Sequence, residues 1–212
     1  MGDAMRLRLL SHAALVVLAL LSTTPFASAH HVMDGATPST FVQGLLSGLG
    51  HPVIGPDHLA FLLAIGVAVG VGGLNLALPA LFVVASAIGV TLHVNGIDLP
   101  AAELVVAVSV LLAGVLIARG RALPVSIWAA LFTVAGLFHG YAFGESIMGA
   151  QRAPLYAYLL GLILIQGALT IAIALVTRHR SGSVSDLVPR LAGVAIVAVG
   201  LATLIGQLAP GA

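Results

Sequence analysis

The chain has no cysteine and no lysine, and only 7% of its 212 residues are charged. Each shortage excludes something. Without cysteine there is no disulfide framework, no thiolate metal site and no cysteine nucleophile. An ordinary soluble domain is about 25% charged, so a chain this poor in charge has no ionic surface to hold it in water. Its class is integral membrane protein. Aromatic residues are few at 5%, whereas there are 25 glycines. That balance suits helices packed through small residues, because lipid supplies no hydrophobic force to drive them together. A net charge of +1 without any basic patch gives no nucleic-acid partner. The sequence also lacks a G-x-x-x-x-G-K-[ST] phosphate loop, an H-E-x-x-H pair and a G-x-S-x-G elbow. Ser47, Ser86 and Ser146 are present, but none stands in a nucleophile-like setting. No catalytic residue is assigned, and the chain is not read as an enzyme.

What the chain has is apolar sequence, 60% of the whole. Residues 1–29 read as a cleaved signal peptide. Arg6 and Arg8 precede the apolar run Leu9 to Leu21, and Ala27-Ser28-Ala29 closes it with a small-residue cleavage site. Cleavage leaves residues 30–40 as a histidine-led tail, in which a free amine beside His30 and His31 can chelate a divalent metal. Residues 41–212 form one transmembrane domain. Apolar segments predict helices at about 41–50, 57–73, 76–94, 99–118, 124–143, 153–177 and 188–208. The first is too short to cross and ends at His51-Pro52. Counted with the next as one span, broken near 51–56, it gives an all-α fold of about six transmembrane helices.

Arginine placement sets the orientation. With the mature N-terminus outside, Arg119, Arg121, Arg178, Arg180 and Arg190 fall inside and only Arg152 outside, as the positive-inside rule requires. The acids Asp34, Asp57, Asp98, Glu103 and Glu145 then gather at the outer face. His30, His31, His51, His58, His93 and His139 gather there too, while Asp186 and His179 lie inside. An outer vestibule that attracts cations is the simplest consequence. It places the chain in a bacterial inner membrane as a multi-pass protein with a periplasmic N-terminus.

The densest cluster of chemistry is His51-Pro-Val-Ile-Gly-Pro-Asp57-His58. Pro52, Gly55 and Pro56 argue against continuous helix there, and a broken helix inside a membrane is tolerated where it lines a cavity. Asp57 and His58 open the following helix, with His51 folded back over them. Neutral imidazole with carboxylate suits Ni²⁺, Co²⁺, Zn²⁺ or Cu²⁺ better than hard cations. The competing structural role for Asp57 is to cap the helix N-terminus. His139 and Glu145 repeat the spacing of His51 and Asp57, and a Gly-Leu-x-His lead-in occurs at 48–51 and 136–139. His139 and Glu145 therefore join His51, Asp57, His58, His30 and His31 as candidate metal residues. His93 reads as interfacial, Glu103 as a partner or proton carrier, and Gln166 as a helix-to-helix hydrogen bonder or pathway lining.

At His51-Pro-x-x-Gly-x-Asp57-His58-Leu the sequence resembles the HupE/UreJ family of small metal permeases. The likeness extends through Ser109-Val-Leu-Leu-Ala-Gly114, Phe138-His139-Gly140 and Leu155-Tyr-Ala-Tyr-Leu-Leu-Gly161. The resemblance implies uptake of Ni²⁺ or Co²⁺, with metal residues at His51, Asp57, His58 and His139. Many members carry His-Gly-His-Ala-His-Gly where this chain has His139-Gly-Tyr141-Ala-Phe143-Gly144, and several nickel-type members carry histidine at the place of Gln166. The ion is substrate, no cofactor is held permanently, and the lipid bilayer and a possible second copy of the chain are the expected partners. Irving–Williams ordering favours Ni²⁺ with Co²⁺ close behind. A reading of another class is a membrane metallochaperone or sensor that relays metal without transporting it.

Overall fold

The computed structural model describes residues 36–180 and 187–209. The signal peptide, His30, His31, Asp34 and Asp186 lie outside the described residues. Among the described residues there are only helices: α1 Phe41–Ile54, α2 Pro56–Val71, α3 Pro79–Val94, α4 Ala102–Ala118, α5 Val125–Gly144, α6 Arg152–Arg180 and α7 Leu187–Leu208, with a 3₁₀ turn over Glu145–Ile147. Three (α5 with its 3₁₀ turn, α6 and α7) are long and apolar enough to cross a membrane, and four if α1 and α2 count as one span. Helices α3 and α4 are apolar but shorter, at 16 and 17 residues.

Helix α1 starts on a capping box. Thr40 accepts from the Gln43 N–H, and the Gln43 side chain reaches back to the Thr40 N–H, which satisfies donors that a helix start leaves open. The sequence predicts that α1 ends at His51, but the helix continues through Pro52 to Ile54. Proline removes one N–H, and its ring crowds the carbonyl four residues back. That residue is Gly48, which has no side chain to add to the crowding. The break falls instead at Gly55, where ψ is 114°, because the residue before a proline is pushed out of the α region and Pro56 follows. The two helices meet there at 78°.

Helix α2 is the axis of the bundle, with residues from Asp57 to Gly70 buried along it. The outer helices surround it in glycine-zipped pairs. Gly44 packs on Pro154, Gly48 on Tyr158, Gly66 on Thr170 and Ile173, and Gly70 on Ala174 and Thr177. Both halves of the bent pair thus advance along α6 in one direction. Helix α3 runs parallel to α5, Ser86 against Gly140 and His93 against Gly144, while α4 and α7 run antiparallel, with Gly114 against Gly193 and Leu111 against Gly200. Large apolar side chains such as Val84, 60% exposed, and Ile205, 63% exposed, cover the outside. An apolar exterior around polar buried groups is the arrangement lipid demands.

The bundle has two chemically different ends. At one, the Arg178 guanidinium donates to the Leu74 carbonyl and Arg190 lies over Gly120. At the other, a cleft of about 380 Å³ is lined by His93, Glu103, Tyr141, Glu145 and Gln207 among others. The Tyr141 hydroxyl donates to Asp98 at 3.1 Å beside it. The separation of arginine from acid and imidazole read in the sequence holds in three dimensions.

A β-carbon at Gly140 would overlap the Ser86 backbone, whereas one at Gly167 would meet nothing within 4 Å. Gly140→Ala is expected to destabilise the bundle by about 1–3 kcal/mol through overpacking. Gly167→Ala is expected to be neutral or to stabilise by up to ~1 kcal/mol through helix propensity. Thermal unfolding in detergent checks the contrast.

Candidate metal centre

Four side chains named from the sequence are brought together where α1, α2 and α5 meet. His51 is 3% exposed, Asp57 and His58 are 4%, and His139 is 0%. Each is positioned by a local feature. His51 lies on the last turns of α1, four residues before the break at Gly55. Asp57 and His58 open α2, where the Asp57 carboxylate accepts the His58 N–H at 2.8 Å. Gly55 allows the fold-back, because a β-carbon there would overlap the His58 ring. His139 sits on α5 against Phe61 and Phe82, with ring centroids at 4.7 and 5.6 Å. On α6, Tyr158 marks the depth of His51. It lies six residues from the start of that helix, about 9 Å along it at 1.5 Å per residue.

The imidazoles are held by two hydrogen-bond groups. His58 Nδ1 and His139 Nδ1 are 3.0 Å apart, and His139 Nε2 is 3.0 Å from the Ser109 hydroxyl of α4. His51 Nδ1 is 2.9 Å from Ser146 Oγ and 3.1 Å from the Tyr158 hydroxyl. Tyr158 donates to the Phe143 carbonyl at 2.7 Å, and Ser146 donates to Tyr158 at 3.0 Å. The groups meet at the His51 and His58 rings, 5.8 Å apart, and Phe143 lies against both, at 5.2 and 4.3 Å. Below them Gln166, 1% exposed, donates to Ser86 at 3.1 Å, and its Oε1 is buried without a hydrogen-bond partner.

Three imidazoles and a carboxylate form a donor set for a borderline divalent ion. The full set does not converge: among the described residues, no three His, Asp or Glu side chains surround one point at bonding distance.

Glu145 is placed elsewhere. It is exposed on the 3₁₀ turn and lines the cleft with His93 and Glu103, while its neighbour Ser146 turns inward to His51. The six-residue echo of His51 and Asp57 therefore does not put Glu145 beside His139. A 3₁₀ turn interrupts the helical period after Gly144, so equal spacing gives unequal positions. Sequence reasoning assigned no role at the site to Ser109, Ser146 or Tyr158. The available signal was a hydroxyl inside an otherwise apolar span, such as Ser109 between Val108 and Val110.

Fold and site together define a helical membrane protein with a buried histidine–aspartate centre. The profile of the HupE / UreJ protein family matches residues 18–203. Protein HupE of Rhizobium leguminosarum bv. viciae is 32% identical over 189 residues, covering 88% of this chain and 97% of that protein. The chain belongs to the HupE/UreJ family, a transporter-type family generally linked to nickel and cobalt uptake. No solved structure matches it.

Asp57 both accepts a helix-start N–H and supplies the one carboxylate of the cluster. Asp57→Asn retains an oxygen for the N–H and loses the charge, and Asp57→Ala loses both. The N-cap of α2 is Gly55, without a side-chain cap, so Asp57 acts from inside the first turn. Either change is expected to cost only about 0.3–1 kcal/mol of stability through the helix dipole. Both are expected to lose metal binding in equilibrium dialysis. Retained binding in Asp57→Asn would leave the bond to the His58 N–H as the residue's sole role, since the N-cap itself is Gly55 and not Asp57 as the sequence suggested.

Proposed function

We propose that the chain imports a divalent transition-metal ion, Ni²⁺ first and Co²⁺ close behind, through the buried centre of His51, Asp57, His58 and His139. The carrying observation is the gathering of three imidazoles and a carboxylate from three helices at one depth. Ionisable groups inside a membrane are costly and mark ion pathways, and this one is set back from the acidic end of the bundle. Family membership supports metal uptake, and the imidazole-rich donor set favours nickel by the Irving–Williams order.

In this reading the acidic end faces the periplasm and the arginine end the cytoplasm, in agreement with the positive-inside rule. The domain crosses the inner membrane six times, with α1 and α2 as one broken crossing. Their common direction along α6 supports a broken span over a re-entrant loop. Exposed Leu, Val and Ile on α3 and α4 support crossings by these shorter helices too. The ion is gathered by the His30/His31 tail and the cleft holding Glu103 and Glu145, and then reaches the histidines. Glu145 acts at capture, and Gln166 with its buried amide oxygen lines the route below.

His51→Ala, Asp57→Ala, His58→Ala and His139→Ala are each expected to abolish accumulation of radiolabelled metal while the protein still reaches the membrane. Glu145→Ala is expected to leave transport partly intact, with a raised half-saturating concentration. Normal uptake in the four core variants would sink the reading.

A further inference from the structure

We propose that Ser109, together with the Ser146–Tyr158 pair, consists of positioning residues that fix which ring nitrogen His139 and His51 offer to the cation. The inference rests on the permease reading and goes beyond it, since it assigns the metal-facing nitrogens and the groups that select them. A neutral imidazole has one N–H and one lone pair, and the partner of the first decides the place of the second.

At His139 the argument starts from the hydroxyl. Ser109 donates its single proton to the Val106 carbonyl at 2.7 Å, a backbone bond within α4. Its oxygen therefore faces His139 Nε2, 3.0 Å away, as an acceptor. Only Nε2–H satisfies that contact, so the lone pair of His139 is on Nδ1. That nitrogen faces His58, where the first of the cation's bonds is made. His58 supplies the N–H between the two rings and turns aside for the ion.

At His51 the same reasoning runs through two hydroxyls. Tyr158 gives its proton to the Phe143 carbonyl at 2.7 Å, and Ser146 gives its own to Tyr158 at 3.0 Å or to the Phe143 carbonyl at 3.2 Å. Both oxygens then face His51 Nδ1, at 2.9 and 3.1 Å, as acceptors. With either acceptor for Ser146, neither hydroxyl has a proton left for the His51 ring. That places the proton of His51 on Nδ1 and the lone pair on Nε2. Ser109, Ser146 and Tyr158 are all buried, at 5%, 8% and 0% exposure, so water does not compete for these bonds. His139 and His51 are thereby held in opposite tautomers, each by side chains on other elements.

The test uses the full chain in nanodiscs with ¹⁵N-labelled histidine, with the His139 signals identified by their loss in His139→Gln. Without metal, wild type is expected to show His139 protonated at Nε2 alone, and Ser109→Ala a mixture of both tautomers. The dissociation constant for Ni²⁺ or Co²⁺ is expected to rise about 10–100-fold in Ser109→Ala, the usual effect of removing a ligand's orienting partner. In the His139→Gln background the same change is expected to add less than about twofold, because it acts through the missing ring. Thr133→Ala, which removes an exposed hydroxyl bonded to its own helix, is expected to change neither readout. A Ser109→Ala protein with the wild-type tautomer or the wild-type affinity overturns the proposal. A wild type that shows the expected tautomer but binds neither metal overturns the permease reading beneath it.

Discussion

A buried imidazole among lipid-facing helices must find its hydrogen-bond partners inside the protein, and the rest of this structure depends on that constraint. Water is not there to satisfy a ring nitrogen, and an unsatisfied polar group in an apolar setting costs several kcal/mol. The three histidines therefore bind each other and a small set of hydroxyls on α4, the 3₁₀ turn and α6. The bend at Gly55 brings His51 back over His58. Gly48 on α1 and Gly161 on α6 let those two backbones approach, and the Tyr158 hydroxyl reaches His51 across that seam. Fold and centre are thus one requirement met at two scales.

Much of this was legible in the sequence because the signals were local. Apolar runs bounded by Gly and Pro placed the seven described helices close to their observed ranges, and the His-x5-Asp-His spacing named three of the four side chains that lie buried together. Arginine placement gave the two unlike ends, seen here as Arg178 and Arg190 against the cleft of His93, Glu103 and Glu145. What the sequence misjudged were features set by context. Pro52 suggested a helix stop, yet one lost N–H is tolerable in a helix that ends two residues later, and Gly55 before Pro56 made the break. Glu145 matched a spacing, but the 3₁₀ turn after Gly144 rotated it out and Ser146 in. Ser109 and Tyr158 carry no local mark of their partnership with His139 and His51, because those contacts span 30 and 107 residues.

Donor chemistry connects the centre to selectivity. Phe143 and Tyr141 follow His139 in the last turns of α5. Phe143 here presses on His51 and His58, and Tyr141 pairs with Asp98 and His93. The proposed centre offers three imidazoles and one carboxylate. Such a site discriminates among borderline ions by geometry more than by donor number. With few ligands, the direction of each lone pair counts for more.

The central claim is that the histidine–aspartate centre passes metal across the bilayer. Metal flux into liposomes holding only the purified protein tests it most directly. Wild type is predicted to carry Ni²⁺ and, less readily, Co²⁺ inward, and His58→Ala and His139→Ala to carry neither. Metal bound by wild type with no flux would contradict the account and leave a relay protein in its place.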